Sequence, residues 1–380
     1  MKKTFFLSLS LCVCVLLCVT SFVSAAPEEF SWVDVAVFAD GNAENSAAHL
    51  QTVDGKNYLF LPSSVQVTTV YLNCELSGQP DTVTVSGSAA AQSLSADEPV
   101  DLVALCGEGS TYALTLTATS SGKTVTLSLT VVPTGDIPSM FLVSSDPVNQ
   151  GREWVESSPT KSNKATGAMY CVGADGSVIY DGSLTQIKGR GNSTWLQDKK
   201  PYQIKLGSKT DLLQTGKSEN KSKTWVLLAN AADPSLLRNQ VVYDLSVAMQ
   251  LQPGIESRSV NLFYDGEYRG VYLLSEKVEV AKGRVDITDL EEINESVNPS
   301  ITDYDSLVTA TAQTGNGATY VYCEGLTSPE DITGGYLLEM DTAARATAEK
   351  CYFITSRDQY VVVKSPEYCS KEEMDYIASH

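Results

Sequence analysis

The sequence predicts two folded parts, an all-β domain followed by an α+β domain. Residues 112–131 alternate between apolar and polar side chains on either side of a Ser-Ser-Gly-Lys turn, which is the period of a β-hairpin. The dipeptides at 175–176 and 265–266, both Asp-Gly, separate apolar runs and favour tight hairpin turns. Residues 237–249 instead place apolar side chains four apart, as an amphipathic helix does.

The first 26 residues are predicted to be a signal peptide. Lys2 and Lys3 precede a long apolar run, and residues 24–26 supply the small side chains that a signal peptidase needs. The run is long enough to span a membrane, so an uncleaved anchor is the alternative. Cleavage is favoured because no basic stop-transfer cluster follows. The mature protein is therefore expected to be secreted or held at the cell surface, without a membrane anchor.

Residues 27–136 are predicted to form a β-sandwich domain of the immunoglobulin-like type. Apolar runs at 58–62 and 67–76 add short strands to the hairpin, and Gly, Ser and Pro separate them. The segment 133–138, with a proline at each end, marks the boundary. No cluster of chemically reactive residues occurs here, which favours a spacer or a binding module.

Residues 137–380 are predicted to form the α+β domain. Several strand-like runs surround one helix, which should begin with Asp233 as N-cap and Pro234 in the first turn and end near residues 253–254. Residues 294–334 are interpreted as a polar, Thr- and Gly-rich insertion. The helix is expected to pack through an apolar face formed by Leu237, Val241, Leu245 and Met249.

The charge of the chain limits its ligands. The formal net charge is -19, which argues against nucleic acid as a partner, because binding phosphate backbones needs a spread of Lys and Arg. Yet residues 187–206 carry five cations and one acid around a Gly-Arg-Gly-Asn turn. A basic segment in an acidic protein indicates a discrete anionic ligand.

The cysteine pattern argues against a structural zinc site. Six cysteines follow the predicted signal peptide without any C-x-x-C pair, and His49 and His380 are the histidines of the sequence. Disulfides are permitted outside the cell, with Cys74 and Cys106 as the favoured pair. Buried thiols that never pair are the alternative.

The basic turn has the chemistry of a phosphate-binding loop. Gly189 and Gly191 allow the backbone to approach a ligand, Arg190 offers a bidentate fork, and Lys205 on the next strand could reach the same anion. The pattern departs from G-x-G-x-x-G because Thr194 occupies the third glycine position. The alternative is a tight β-turn with solvated cations and Trp195 as its core anchor.

Five blocks of the sequence together resemble the spore coat protein H (CotH) kinase family. The blocks are "IKGRGNSTW", "KKPYQIKL", "WVLLANAADPSLLRNQVVYDLS", "NLFYDGEYRGVYLLSEKV" and "GGYLLEMD", and the resemblance extends over roughly residues 137–377. Members resemble divergent protein kinases that use ATP with Mg²⁺ or Mn²⁺ to phosphorylate Ser or Thr of secreted or coat proteins. The resemblance therefore implies a kinase-like N-lobe in the α+β domain, with the C-terminal lobe missing from this chain.

The resemblance also implies roles for particular residues. The glycine turn would cover the nucleotide phosphates, and a strand lysine, Lys205 with Lys200 as competitor, would pair with them. Glu276, at the end of the later hairpin, would lie near the adenine. Glu339 and Asp341 are weaker candidates for metal ligands, because alternating acids on a strand usually face solvent. The implied nucleotide-binding residues are Gly189, Arg190, Gly191, Asn192, Lys205 and Glu276.

The metal ligands and the catalytic base are expected C-terminal to His380, so no catalytic or metal-binding residue is assigned within the chain. Ser370 and Glu373 predict a capping box for a final helix that is expected to lack a packing partner. The chain is thus interpreted as an inactive, truncated form of a secreted protein kinase. The alternative is a non-catalytic surface adhesin or coat protein that binds partners through the β-sandwich. A sugar-binding role, based on Trp32 and Trp154, ranks last.

Overall fold

The computed structural model describes residues 30–39, 43–251 and 254–380. The predicted signal peptide lies outside these ranges. Within them, no helix has the length and apolar character needed to cross a membrane.

The N-terminal part is built from two β-sheets and two short helices, α1 (Ala43–Ser46) and α2 (Leu102–Cys106). Its strands are β1 (Trp32–Phe38), β2 (Ala47–His49), β3 (Gln51–Val53), β4 (Lys56–Leu61), β5 (Leu72–Leu76), β6 (Thr82–Ser86), β7 (Ala91–Ser93), β8 (Tyr112–Ser120) and β9 (Lys123–Pro133). One sheet has the order β2-β1-β5 and the other β3-β4-β9-β8-β6-β7, with β4 and β9 parallel. The expected all-β sandwich therefore fits in part, and its immunoglobulin-like type stays a prediction.

A closed seven-stranded barrel follows. Its strands are β10 (Ser139–Ser144), β11 (Lys164–Val172), β12 (Val178–Gly189), β13 (Tyr202–Thr210), β14 (Ser222–Leu228), β15 (Ser257–Tyr264) and β16 (Glu267–Glu276). Their order is β10-β11-β12-β13-β14-β16-β15, and parallel pairing of β15 with β10 closes the barrel. The interior is filled by large side chains, including Trp225, Tyr202, Tyr264 and Tyr272. Two helices, α3 (Arg152–Glu156) and α4 (Arg238–Ala248), connect barrel strands.

The hairpin turns follow the sequence closely. Ser121 and Gly122 both adopt positive φ, 49° and 79°, and join β8 to β9. Asp265 and Gly266 do the same between β15 and β16, with φ of 50° and 79°. Two successive residues at positive φ define the type I′ turn that matches strand twist. These predicted hairpins are confirmed.

The barrel and the N-terminal sheets share one hydrophobic core. Phe141, Tyr170 and Phe263 point outward from barrel strands and are buried among residues of the two sheets, such as Leu59 and Leu114. The rings of Phe141 and Phe263 stack at 4.6 Å between centroids. The outer face of the barrel at β10, β11 and β15 is therefore an internal packing surface.

The C-terminal part is a five-stranded sheet with helices. Its strands are β17 (Thr309–Gln313), β18 (Thr319–Cys323), β19 (Leu337–Asp341), β20 (Tyr352–Ile354) and β21 (Tyr360–Ser365), in the order β17-β18-β20-β21-β19. The helices are α5 (Leu290–Val297), α6 (Ala343–Ala346) and α7 (Lys371–Ser379). The region interpreted as a polar insertion, residues 294–334, thus contains the end of α5 and all of β17 and β18.

The predicted fold class is wrong for the second part of the chain. The sequence predicted a kinase-like α+β N-lobe, but the structure has a closed seven-stranded barrel and a second sheet, and strands predominate over helices. Periodicity identified individual strands correctly. It could not show that β10 and β15, more than 100 residues apart, pair in parallel and close the sheet on itself.

The expected helix exists, but its start and its orientation differ from the prediction. Leu236 has a φ of 58°, which interrupts the helix after Asp233, and α4 begins at Arg238. The Asp233 carboxylate still accepts the Arg238 backbone N–H at 2.9 Å. The side chains turned toward the barrel are Gln240, Tyr243 and Ser246. The predicted packing face is exposed instead, with exposed fractions of 50% for Leu237, 59% for Val241, 54% for Leu245 and 60% for Met249.

The final helix has the predicted capping box and also a partner. The Ser370 side chain accepts the Glu373 N–H, and the Glu373 carboxylate accepts the Ser370 N–H at 2.7 Å. Met374 and Ala378 are buried in a core that α7 shares with β18 and β20. The expectation that this helix lacks a partner is wrong, because the sheet that covers it was not predicted.

Candidate functional site

A cavity of about 670 Å³ lies on the outer face of the barrel, beside the Gly-Arg-Gly-Asn turn. Its floor is the outer surface of β13, β14 and β16, including Gln203 and Val226. Residues 229–233 and Tyr243 of α4 form one wall, and the turn forms another. A volume of this size is typical of small-molecule sites.

Gly189 is explained by packing inside the turn. A Cβ on this residue would lie 2.3 Å from the Trp195 ring, which is buried and donates its indole N–H to the Ser158 carbonyl at 2.9 Å. Trp195 is therefore the core anchor of the turn. Gly191, by contrast, needs glycine for its backbone, because its φ is 78°.

Arg190 is the cation that the turn presents to the cavity. Its side chain is half-buried, and burial lowers its pKa while the nearby Tyr243 opposes that shift. Among the residues that the structure describes, no carboxylate forms an ion pair with Arg190. A partly desolvated guanidinium without an acidic partner is the arrangement expected where an anion binds.

Two lysines, Lys199 and Lys277, line the same cavity. Burial lowers the pKa of Lys188, and the positive charges of Lys164 and Lys277 lower it further. Burial also lowers the pKa of Lys199 to about 8, with Arg269 adding to the shift. Lys199 lines the cavity, donates to the Val271 carbonyl and lies 4.6 Å from the centre of the Tyr272 ring. A bound anion would offset the repulsion between Lys199 and Arg269 and that between Lys188 and Lys277.

Lys205 and Lys200, the two lysines that were predicted to pair with phosphates, do not line the cavity. Lys205 is exposed on the outer face of β13 and does not line the cavity, whereas Gln203, two residues earlier, does. Lys200 donates to the Trp195 carbonyl at 2.8 Å and lies 5.4 Å from the centre of its ring, so it stabilises the turn. The structure therefore brings Lys199 and Lys277 to the cavity in place of Lys205 and Lys200.

Glu276 contributes to the wall of the cavity, but its carboxylate is already engaged. It forms a buried ion pair with Arg284 and accepts the Glu256 N–H at 3.1 Å. The Arg284 guanidinium in turn lies 4.6 Å from the centre of the Trp225 ring. Burial raises the pKa of Glu276, although the Glu256 N–H and Arg284 oppose that shift. The ion pair between Glu276 and Arg284 therefore links the end of β16 to the segment that follows the barrel.

Asn192 links the turn to the C-terminal sheet. The Asn192 amide is oriented so that its nitrogen donates to the Gly191 carbonyl and its oxygen accepts from the Arg345 guanidinium. Arg345 also pairs with Asp341 at 3.3 Å. A second cavity of about 800 Å³ begins here and shares Arg190 and Lys277 with the first. Its lining also includes Lys364 and several apolar side chains, but acids are the most numerous, namely Glu279, Asp289, Glu291, Glu292, Glu295, Glu339 and Glu367.

A divalent metal does not fit the described residues. No group of three or more His, Cys, Asp or Glu side chains within them could hold a metal ion. Of the two tentative ligands, Asp341 pairs with Arg345 and Glu339 is exposed on β19. The site therefore has groups suited to phosphate but no ligand set for Mg²⁺ or Mn²⁺.

Residues 187–320 match the family model described as CotH kinase protein. The match includes the turn, the cavity floor and α4; it supports the predicted CotH family and suggests a kinase-related function. Comparison with curated proteins gave no match.

Sequence reasoning missed Lys199 and Tyr243. Lys199 stood in the basic segment, but nothing in the pattern distinguished it from Lys200, its neighbour. Tyr243 stood outside the apolar spacing of the helix and could have been read as the polar contact of that helix with the site. Both positions depend on how the strands curve into a barrel, which local periodicity does not report.

Proposed function

We propose that this chain binds a nucleoside triphosphate, ATP by its resemblance to the family, in the cationic cavity, as the nucleotide-binding part of a CotH-type phosphotransferase. The observation that carries the proposal is Arg190, a half-buried cation without an acidic partner among the described residues, facing a cavity of nucleotide size. The further elements, phosphorylation of Ser or Thr on exported proteins and secretion of this chain, belong to the same proposal.

The two ends of the cavity suit the two ends of such a ligand. Arg190 and Lys199 offer cationic donors for the phosphates, with the fork of Arg190 matched to two phosphate oxygens. Lys277 adds positive charge, although it also pairs with Glu279 at 2.8 Å. Val226, Leu228 and Val278 offer apolar surface on which a base could lie. The pKa of Lys199 is about 8, so this lysine is largely protonated at neutral pH. A bound anion would raise that pKa and increase the protonated fraction.

Bound ATP would supply the phosphoryl group, and the chain's own residues would hold and orient its phosphates. The turn is rigid because Trp195 is buried beneath Gly189, so Arg190 would be positioned before binding. No metal-dependent step is assigned, because the described residues lack the carboxylates that would hold the ion.

The proposal is tested by calorimetric titration of the complete chain with ATP, inorganic triphosphate and adenosine. Arg190→Ala should weaken ATP and triphosphate binding by about 10- to 100-fold, the usual contribution of a charge-assisted hydrogen bond, and leave adenosine binding unchanged. Lys205→Ala is the matched control, since this lysine is exposed and lies outside the cavity. It should change the affinity by less than about threefold at moderate salt.

Unchanged melting temperatures of both variants would establish that folding is intact. Lack of ATP binding by the wild-type chain, or equal losses in both variants, would refute the cavity as the nucleotide site. A loss of ATP affinity in Lys205→Ala alone would instead identify Lys205 as the residue that binds the phosphates.

A second candidate is a non-catalytic surface or coat component that acts through protein contacts. The outward apolar side of α4 favours it, because Leu237, Val241, Leu245 and Met249 together form an exposed apolar surface of the kind found at interaction sites. Absence of any nucleotide-induced rise in melting temperature at millimolar ATP would favour this candidate over the first.

A further inference from the structure

Three cysteines meet in the core of the C-terminal sheet. Cys323 ends β18, Cys351 immediately precedes β20, and Cys369 lies between β21 and α7. All three are buried, with exposed fractions of 1%, 1% and 0%. The Sγ atoms of Cys323 and Cys351 are 3.7 Å apart. We propose that Cys323 and Cys351 form an intramolecular disulfide when the protein folds under oxidising conditions.

The geometry selects this pair over the others. A disulfide joins sulfurs about 2.05 Å apart, so a sulfur–sulfur distance of 3.7 Å needs only a small movement of two side chains. Cys369 makes different contacts: its thiol donates to the Pro366 carbonyl at 3.3 Å, and its backbone N–H donates to Cys351 Sγ at 3.1 Å. The side chain of Cys351 also contacts Cys369, so Cys351–Cys369 is the competing pair, and Cys323–Cys351 is proposed on its 3.7 Å sulfur–sulfur contact.

All six described cysteines are free thiols in the structure, including the proposed pair and Cys74 and Cys106, the pair that the sequence favoured. The Cys106 thiol donates to the Ala113 carbonyl at 3.3 Å. Cys171 is enclosed in the barrel core among apolar side chains. Among the described cysteines, the C-terminal cluster alone has a sulfur–sulfur contact recorded within 4 Å.

The oxidant is a low-molecular-weight disulfide such as glutathione disulfide. The Cys323 or Cys351 thiolate attacks it, one glutathione thiol leaves, and the resulting mixed disulfide is attacked by the other cysteine. One protein S–S bond forms and one glutathione S–S bond breaks. The electron pair and both thiol protons end on two molecules of reduced glutathione. The hydrogen bond with Cys351, together with burial, raises the pKa of Cys323 in the folded chain. Cys323 lowers the pKa of Cys351, but the contact with Cys369 and burial raise it overall. Exchange should therefore occur during folding, before the core closes.

The cross-link would hold a functional part of the surface. Residues 324–350, which it would enclose, include β19 and α6, and so carry both Glu339 of the second cavity and Arg345, the contact of Asn192. A disulfide limits the conformations of the unfolded loop it closes. The bond would thus stabilise the segment that lies against the Gly-Arg-Gly-Asn turn, and it does not depend on what the turn binds.

Peptide mapping of the wild-type protein tests the connectivity directly. Trypsin places the three cysteines in separate peptides, residues 285–345, 351–357 and 365–371. The complete chain is refolded with reduced and oxidised glutathione, free thiols are blocked with N-ethylmaleimide in denaturant, and the unreduced digest is analysed by mass spectrometry. We expect a cross-linked species of 285–345 with 351–357, and an alkylated 365–371. Alkylation of all three peptides, or a link between 351–357 and 365–371, would overturn the proposal.

Melting temperatures provide an independent readout. Refolding with oxidised glutathione should raise the melting temperature by on the order of 5–15 °C over the reduced protein, as expected for a loop of this length. Cys323→Ser should abolish that difference, whereas Cys369→Ser, the matched control in the same core, should retain it. Equal melting temperatures of oxidised and reduced wild-type protein would count against a native cross-link even where the linked peptide is detected.

Discussion

The contact between Gly189 and Trp195 offers a decisive test of why the basic turn contains glycine. A Cβ at position 189 would approach three atoms of the indole ring, at 2.3, 2.6 and 2.7 Å. Ordinary contacts between carbon atoms are about 3.5–4.0 Å, so the ring would have to move by more than 1 Å. Gly189→Ala should therefore disturb the whole anchor of the turn.

The expected cost follows from the contacts that move with the ring. Overpacking a buried site costs about 1–3 kcal/mol, and weakening the 2.9 Å hydrogen bond from Trp195 to Ser158 adds about 1 kcal/mol. The reduced entropy of the unfolded chain offsets about 0.4–1 kcal/mol of this. The net destabilisation of Gly189→Ala is thus about 1–3 kcal/mol. Trp195→Ala, which empties the site, should cost about 3–5 kcal/mol.

The double variant distinguishes packing from ligand approach. Once Trp195 is alanine the clash is gone, so adding Gly189→Ala should be within about 0.5 kcal/mol of neutral, giving a coupling of 1 kcal/mol or more. Urea unfolding of the four proteins measures this cycle. Additive costs would refute the packing explanation. A further loss of ATP affinity on adding Gly189→Ala to the Trp195→Ala background would show that a ligand also needs the glycine.

Two further predictions concern charged pairs. Arg284→Met should cost about 3–5 kcal/mol in urea unfolding, because it leaves Glu276 buried without its partner, while Arg284→Met combined with Glu276→Gln should recover most of that loss; an equal cost in both would contradict the pairing. The hydrogen bond and charge of Asp34 raise the pKa of His49 above 6.5, despite the opposing effect of burial. The ion pair of His49 with Asp34 should therefore contribute fully to stability below pH 6.5. This contribution should be lost as the pH rises through the raised pKa of His49. The difference in unfolding free energy between wild type and His49→Gln, measured from pH 5 to 9, should shrink with rising pH, and a difference that grows would reverse the assignment.

The turns and the cap of the final helix could be predicted from the sequence, because they depend on neighbouring residues. Asp265-Gly266 and Ser121-Gly122 adopt the positive φ values that their small or polar side chains tolerate, so both hairpins were predictable. The capping box of Ser370 and Glu373 was predictable for the same reason. Each depends on residues within a few positions of one another. The five sequence blocks predicted the CotH family, which the match at 187–320 supports.

The tertiary structure decided what distant segments do together. Leu237, Val241, Leu245 and Met249 have the spacing of a packing face, yet they face outward, because Gln240, Tyr243 and Ser246 make the contact with the barrel. Parallel pairing of β10 with β15 closes the sheet into a barrel, and Lys199, not Lys205, lines the cavity on its outer face together with Arg190. Spacing along a strand or helix fixes which side chains share a face, but the partner of that face depends on long-range packing that no local pattern encodes.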